Sequence, residues 1–78
     1  MKISAIFGSL YYRPDYYRFK VRLNGDFKDH VFFADEEAGY VEVYRTHKGG
    51  VVTINDRPLV DRLFGQVQIE EEGNLLLL

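Results

Sequence analysis

Apolar and polar residues alternate along Arg18-Phe19-Lys20-Val21-Arg22-Leu23, with Phe19, Val21 and Leu23 on one parity and the three cations on the other. Successive residues of a strand point to opposite sides, so this pattern predicts a β-strand with one dry and one wet face. Asn24-Gly25 comes next, and both residues tolerate positive φ. The pair predicts a tight hairpin into a return strand over Phe27–Ala34, with Val31 and Phe33 on one face and Phe32 on the other. Tyr40-Val41-Glu42-Val43-Tyr44-Arg45 alternates again, setting Val41 and Val43 inward and Tyr40, Glu42 and Tyr44 outward. Val51–Ile54 and Gln66–Glu70 add further strands, the second with Val67 and Ile69 inward. Turn signals such as Gly8-Ser9, Lys48-Gly49-Gly50, Asn55-Asp56 and Glu72-Gly73-Asn74 recur at intervals of about ten residues, the rhythm of a β meander.

These elements predict one all-β, antiparallel domain over residues 1–78, a small barrel or sandwich of roughly five to seven short strands. Its inward set is Phe19, Val21, Leu23, Val31, Phe33, Val41, Val43, Val67 and Ile69. One segment reads two ways. Asn55 to Gly65 carries an N-cap candidate, an early proline, a final glycine and an i, i+4 stripe of Leu59/Leu63 and Val60/Phe64, which suit a short helix near 58–64. The same residues suit a strand over 59–64, since a two-turn helix forms only when packed on a sheet.

Four tyrosines fall within seven residues, Tyr11-Tyr12 and Tyr16-Tyr17, around Arg13-Pro14-Asp15. As arms of a tight turn, each pair is expected to send one ring to the core and the other to solvent. Tyr12, Arg13, Tyr17 and Arg18, with Tyr40 and Tyr44 from the later strand, are the candidate partner-binding residues, because Tyr and Arg are enriched at the centres of protein interfaces. The chain ends in Leu75, Leu76, Leu77 and Leu78 directly after an acidic triplet. Burying each leucine gains about 1.5–3 kcal/mol, so the tail is expected to close the core as a last strand or to act as an assembly element.

Charge changes the picture next. Residues 1–34 carry six Lys/Arg against three Asp, whereas 35–78 carry four against nine Asp/Glu, so the halves stand at +3 and −5. Intramolecular pairing is the plain expectation for such runs. The sharper alternative is a small β fold binding single-stranded nucleic acid, with bases stacked on tyrosines and phosphates on Arg18, Lys20 and Arg22. The acidic total argues against it.

Catalytic chemistry finds no anchor. There is no cysteine, Ser4 and Ser9 lie outside any nucleophile-elbow motif, and Lys48-Gly49-Gly50 lacks the order of a phosphate-binding loop. His30 and His47 lack metal-ligand spacing, and paired carboxylates do acid–base work only in a cleft that perturbs them. No catalytic residue, metal or cofactor is therefore expected. No leader peptide and no apolar stretch of about 20 residues is seen, so neither secretion nor a membrane partner is expected.

The stretch Phe19–Tyr44, FKVRLNGDFKDHVFFADEEAGYVEVY, with the later DRLFGQVQI at Asp61–Ile69, resembles short β-rich proteins of tailed bacteriophages and prophages. The shared grammar is a strand, an Asn-Gly turn, a strand ending Ala-Asp-Glu-Glu, a glycine before a Val-rich strand and a Leu-Phe-Gly-Gln-Val unit. It covers about half the chain, and the tyrosine-rich segment and the leucine tail fall outside it. The resemblance implies a phage setting in the host cytoplasm or the virion. The expectation is a non-enzymatic protein that binds a protein partner or itself, as a capsid or connector accessory or as an inhibitor of a host factor.

Overall fold

A computed structural model describes residues 1–72. Two antiparallel sheets pack face to face as an open sandwich. The first has four strands in the order β1 (Lys2–Ser4), β4 (Val31–Asp35), β5 (Tyr40–Tyr44), β10 (Val60–Phe64). The second has three, in the order β11 (Val67–Glu71), β2 (Phe19–Leu23), β3 (Asp26–Phe27). Between them lies a core drawn from both sheets: Ile3, Ala34, Val41 and Val43 from the first, Phe19, Val21, Leu23 and Val67 from the second. Val31, Leu63, Ile69 and Tyr16 pack against it, half-buried. The expected all-β sandwich and eight of its nine inward residues are therefore present.

The ninth, Phe33, is a correction. β4 pairs with β5 as Val31↔Val43, then Phe33↔Glu42 and Ala34↔Val41, so Phe32 is an extra residue that forms a β-bulge. The bulge resets the parity of the strand: Val31 and Ala34 face the core, while Phe32 and Phe33 both turn outward. The expected return strand over Phe27–Ala34 is also interrupted. Its first part, β3, pairs with β2, the chain leaves that sheet through Lys28–His30, and β4 joins the other sheet, with His30 at φ 62° on the crossing.

The turn residues act as read. Asn24 and Gly25 take φ 53° and 88°, the double positive φ of a two-residue hairpin, and Asn24 Oδ1 also accepts the Gln66 N–H at 2.9 Å. Asp35, buried at the end of β4, accepts the Glu37 and Ala38 N–H groups at 3.0 and 2.9 Å and so shapes the loop into β5. Gly39 closes that loop at φ 75°, where a Cβ would stand 2.9 Å from the Gly65 carbonyl oxygen.

Residues 58–64 form no helix. Val60–Phe64 is β10, paired along its whole length with β5, which offers the segment a partner that a short, isolated two-turn helix would lack. Between β5 and β10 the chain makes two further two-residue ladders, β6 (Thr46–His47) with β7 (Gly50–Val51), and β8 (Thr53–Ile54) with β9 (Arg57–Pro58). They branch from a cyclic triad of backbone bonds: Arg45 N–H to Leu59 O, Val52 N–H to Arg45 O and Leu59 N–H to Val52 O, at 2.8–2.9 Å. The expected strand Val51–Ile54 is thus split at Val52, and its halves belong to different arms of a fork.

The tyrosine-rich segment is not a hairpin of two strands. Tyr12 makes an isolated bridge to Ser4, Arg13 holds Asp15 bidentately at 2.9 and 3.0 Å across Pro14, and Tyr16–Arg18 is a single 3-10 turn. No helix among the described residues is long and apolar enough to cross a bilayer.

Candidate binding surface

The alternation in β5 buries Val41 and Val43 and sets Tyr40, Glu42 and Tyr44 on the outer face of the four-stranded sheet. Register fixes what stands beside them. Phe64 of β10 is opposite Tyr40, Arg62 opposite Glu42, and Phe33 of β4 opposite Glu42 from the other side. The bulge thereby adds Phe33 and Phe32 to the outer face, and an aromatic row crosses the sheet. Tyr11 meets Phe33 at 6.3 Å between ring centres, Phe33 stacks on Tyr40 at 5.5 Å, and Tyr40 meets Phe64 at 5.8 Å. Phe32 and Tyr44 form a second pair at 4.6 Å. These separations suit offset and edge contacts, which hold the rings in place before any partner arrives.

Cations flank the row. The Arg62 guanidinium lies 4.6 Å from the Tyr40 ring centre and 3.4 Å from Glu42, and Lys2 lies 5.1 Å from the Tyr11 ring. Tyr11 first, and then Asp35 at 3.9 Å, hold the Lys2 ammonium above the ordinary lysine pKa. Phe64, 68 % exposed, is the most open ring of the row, and Phe33, Tyr40 and Tyr44 are half-buried. The surface is therefore aromatic at its centre and internally ion-paired. That chemistry suits contact with another folded surface.

The other expected contact residues are dispersed. Tyr12 packs edge-on against exposed Phe7 at 5.5 Å, near the Tyr11 end of the row. Arg13 is held by Asp15 and lies over Phe19. Tyr17, 81 % exposed, and Arg18 sit in the 3-10 turn that leads into β2. The expected division of each tyrosine pair holds for Tyr16, packed on the core, against Tyr17, but Tyr11 and Tyr12 are exposed to similar extents, 39 and 36 %. Tyr16 donates its hydroxyl to the Val31 carbonyl at 2.8 Å, and burial pushes its pKa up to about 12. Of the candidate set, Tyr40 and Tyr44 share the aromatic face. Sequence reasoning missed Phe32, Phe33, Phe64 and Arg62 there; the adjacent Phe32-Phe33 pair was the one available signal of a bulge.

The basic face of β2 meets the acidic face of β11. Lys20 Nζ lies 2.9 Å from Glu72, Arg22 Nε 3.2 Å from Glu70, and Arg18 3.5 Å from Glu71. Lys20 and Arg22 also flank the Phe27 ring, at 5.3 and 3.8 Å. All three cations of the nucleic-acid alternative are thus engaged by the acidic triplet, which reconciles the opposite charges of the two halves. A cleft of about 310 Å³ opens where β3 leaves for β4, with Phe19, Phe27 and Val31 in its walls and Lys28 and His30 among its polar residues. Among the described residues no group of three or more His, Asp or Glu is placed to hold a metal ion. Leu75–Leu78 lie outside the described residues. No family model, curated protein or solved structure matches this chain.

Proposed function

We propose that this protein is a non-enzymatic protein-binding module whose contact surface is the aromatic outer face of the four-stranded sheet. The observation that carries the reading is the row Tyr11–Phe33–Tyr40–Phe64, continuous across four elements and flanked by Lys2 and Arg62. Rigid rings with polar tips lose little side-chain entropy on binding, and Arg and Tyr at the centre of a patch are the usual anchors of an interface. The binding partner is a protein or a second copy of the chain. The resemblance to short phage proteins supports a role as a capsid or connector accessory, or as an inhibitor of a host factor.

The test compares two variants of the full-length protein for co-purification and assembly. Tyr40→Ala with Phe64→Ala is expected to abolish partner binding, whereas Lys20→Gln with Arg22→Gln on the opposite sheet leaves it intact. Equal loss in both, or in neither, rejects this face as the contact surface.

A further inference from the structure

Each sheet edge exposes backbone groups that another strand can capture, and here the edges are treated unequally. In β1 the groups of Ser4 that point away from β4 are taken by residues 11–13: Ser4 N–H donates to Tyr11 O and Arg13 N–H to Ser4 O, both at 2.9 Å. On β11 the outward N–H of Ile69 donates to Glu36 Oε2 at 2.9 Å, and Glu36 is itself held by the N-terminal ammonium at 3.2 Å. β3 is only two residues long. β10 is different. Gly65 N–H donates to Gly39 O and Arg45 N–H to Leu59 O, which fixes the phase of the ladder: Leu59, Asp61, Leu63 and Gly65 face β5. Val60, Arg62 and Phe64 therefore direct their N–H and C=O groups away from the sheet, and no backbone bond among the described residues meets them. Among the described residues, a five-residue edge with exposed Val60 and Phe64 is left open.

We propose that β10 pairs with β10 of a second copy, antiparallel about a two-fold axis at Leu63, joining two four-stranded sheets into one of eight. The inference rests on the protein-binding reading above and assigns it an edge and an occupant. With Val60, Arg62 and Phe64 carrying the free groups, three symmetric registers pair two or more of them with one another; those centred on Val60 or Phe64 pair only one. One centred on Asp61 sets Asp61 against the partner's Asp61, and one centred on Arg62 sets Arg62 against the partner's Arg62; like charges directly opposite are destabilising. Centring on Leu63 sets Arg62 against the partner's Phe64 and Phe64 against the partner's Arg62, two cation–aromatic pairs on the outer face. The two leucines then meet on the inner face, where each extends the core. The aromatic row of one copy continues into that of the other.

The experiment is light scattering coupled to size exclusion over a concentration series, with Arg62→Pro and Arg62→Ala beside the native chain. The native protein is expected to move toward about 18 kDa, twice 9.1 kDa, as concentration rises. Proline at 62 removes an N–H that takes no bond among the described residues, so Arg62→Pro is expected to keep the native circular dichroism and remain monomeric. Arg62→Ala keeps the N–H and is expected to dimerise several-fold more weakly. A native chain monomeric throughout overturns the proposal, as does a dimer that survives Arg62→Pro with its fold intact. If Arg62→Pro unfolds, cross-linking decides: Leu63→Cys in this cysteine-free chain gives a disulfide-linked dimer on oxidation if the register is right, and Gln68→Cys does not. A monomer whose aromatic face still binds another protein rejects the edge pairing and leaves the proposed function standing.

Discussion

Tyr16→Phe tests how the 3-10 turn is tied to the first sheet. The hydroxyl donates to Val31 O at 2.8 Å beside the bulge, while the ring packs on the core, so the substitution removes one hydrogen bond and little packing. A neutral bond of this kind contributes about 0.5–1.5 kcal/mol net. That predicts a melting temperature lower by roughly 4–8 °C per kcal/mol for a domain of this size. A second, independent signature comes from pH. Burial raises the folded pKa of Tyr16 from 10.0 to about 12, so the folded state keeps a proton that the unfolded state gives up. The associated stability is fully present below pH 10 and is lost as pH rises towards 12. The full shift corresponds to at most about 2.7 kcal/mol, and partial exposure of the ring reduces this to about 1–2 kcal/mol. Urea titrations of native and Tyr16→Phe protein at pH 8 and pH 11 therefore give a difference that favours the native chain at pH 8. That difference shrinks by about 1 kcal/mol at pH 11, the other five tyrosines being common to both proteins. In parallel, tyrosinate absorbance should show one late-titrating ring that is missing from the variant. A stability difference that is the same at both pH values refutes the assigned burial and hydrogen bond of Tyr16.

Gly39→Ala places a Cβ 2.9 Å from the Gly65 carbonyl at φ 75°; the conformation alone costs about 1–2 kcal/mol, and chemical denaturation should show a loss of at least that size. At acid pH, hydrogen bonds from Arg13 and Arg45 hold Asp15 and Asp61 below the ordinary carboxylate range. Their contribution is present above the unfolded aspartate pKa and lost as pH falls through the folded values, so Arg13→Ala with Arg45→Ala should flatten the acid limb of the stability profile measured by denaturation. Native protein should not shift a labelled oligonucleotide at low salt, because Arg18, Lys20 and Arg22 are ion-paired. Glu70→Gln, Glu71→Gln and Glu72→Gln together should create salt-sensitive binding, and an already strong native shift contradicts this assignment.

The strands with one wet face were legible because period-two alternation and burial carry the same information: β2, β5 and β11 appear with the expected residues inward, and Asn24-Gly25 makes its hairpin. The bulge was only half legible: the adjacent apolar pair Phe32-Phe33 breaks strict alternation, but no polar residue marks which position is the extra one. The sheet switch at Lys28–His30 carries no Gly or Pro, and His30 adopts its positive φ without a sequence signal. The stripe at 59, 60, 63 and 64 satisfied the helical spacing and the strand equally, and only the presence of β5 as a pairing partner decides between them. The binding surface was half legible. Tyr40 and Tyr44 follow from local alternation, but Phe33, Phe64 and Arg62 join them through pairings between residues about 7 to 24 apart, which no local pattern encodes. The same holds for the ion pairs. The sequence displays the basic and acidic runs, and the β2–β11 register chooses which charges meet.

Site-specific photo-cross-linking tests the central claim most directly, with a photoreactive residue at Tyr44 on the aromatic face or at Gln68 on the opposite sheet. The protein-binding account predicts discrete protein adducts from position 44, with itself or with another chain, that are lost on Tyr40→Ala and absent from position 68. Equal cross-linking at both positions, or adducts that run as nucleic acid, contradicts it.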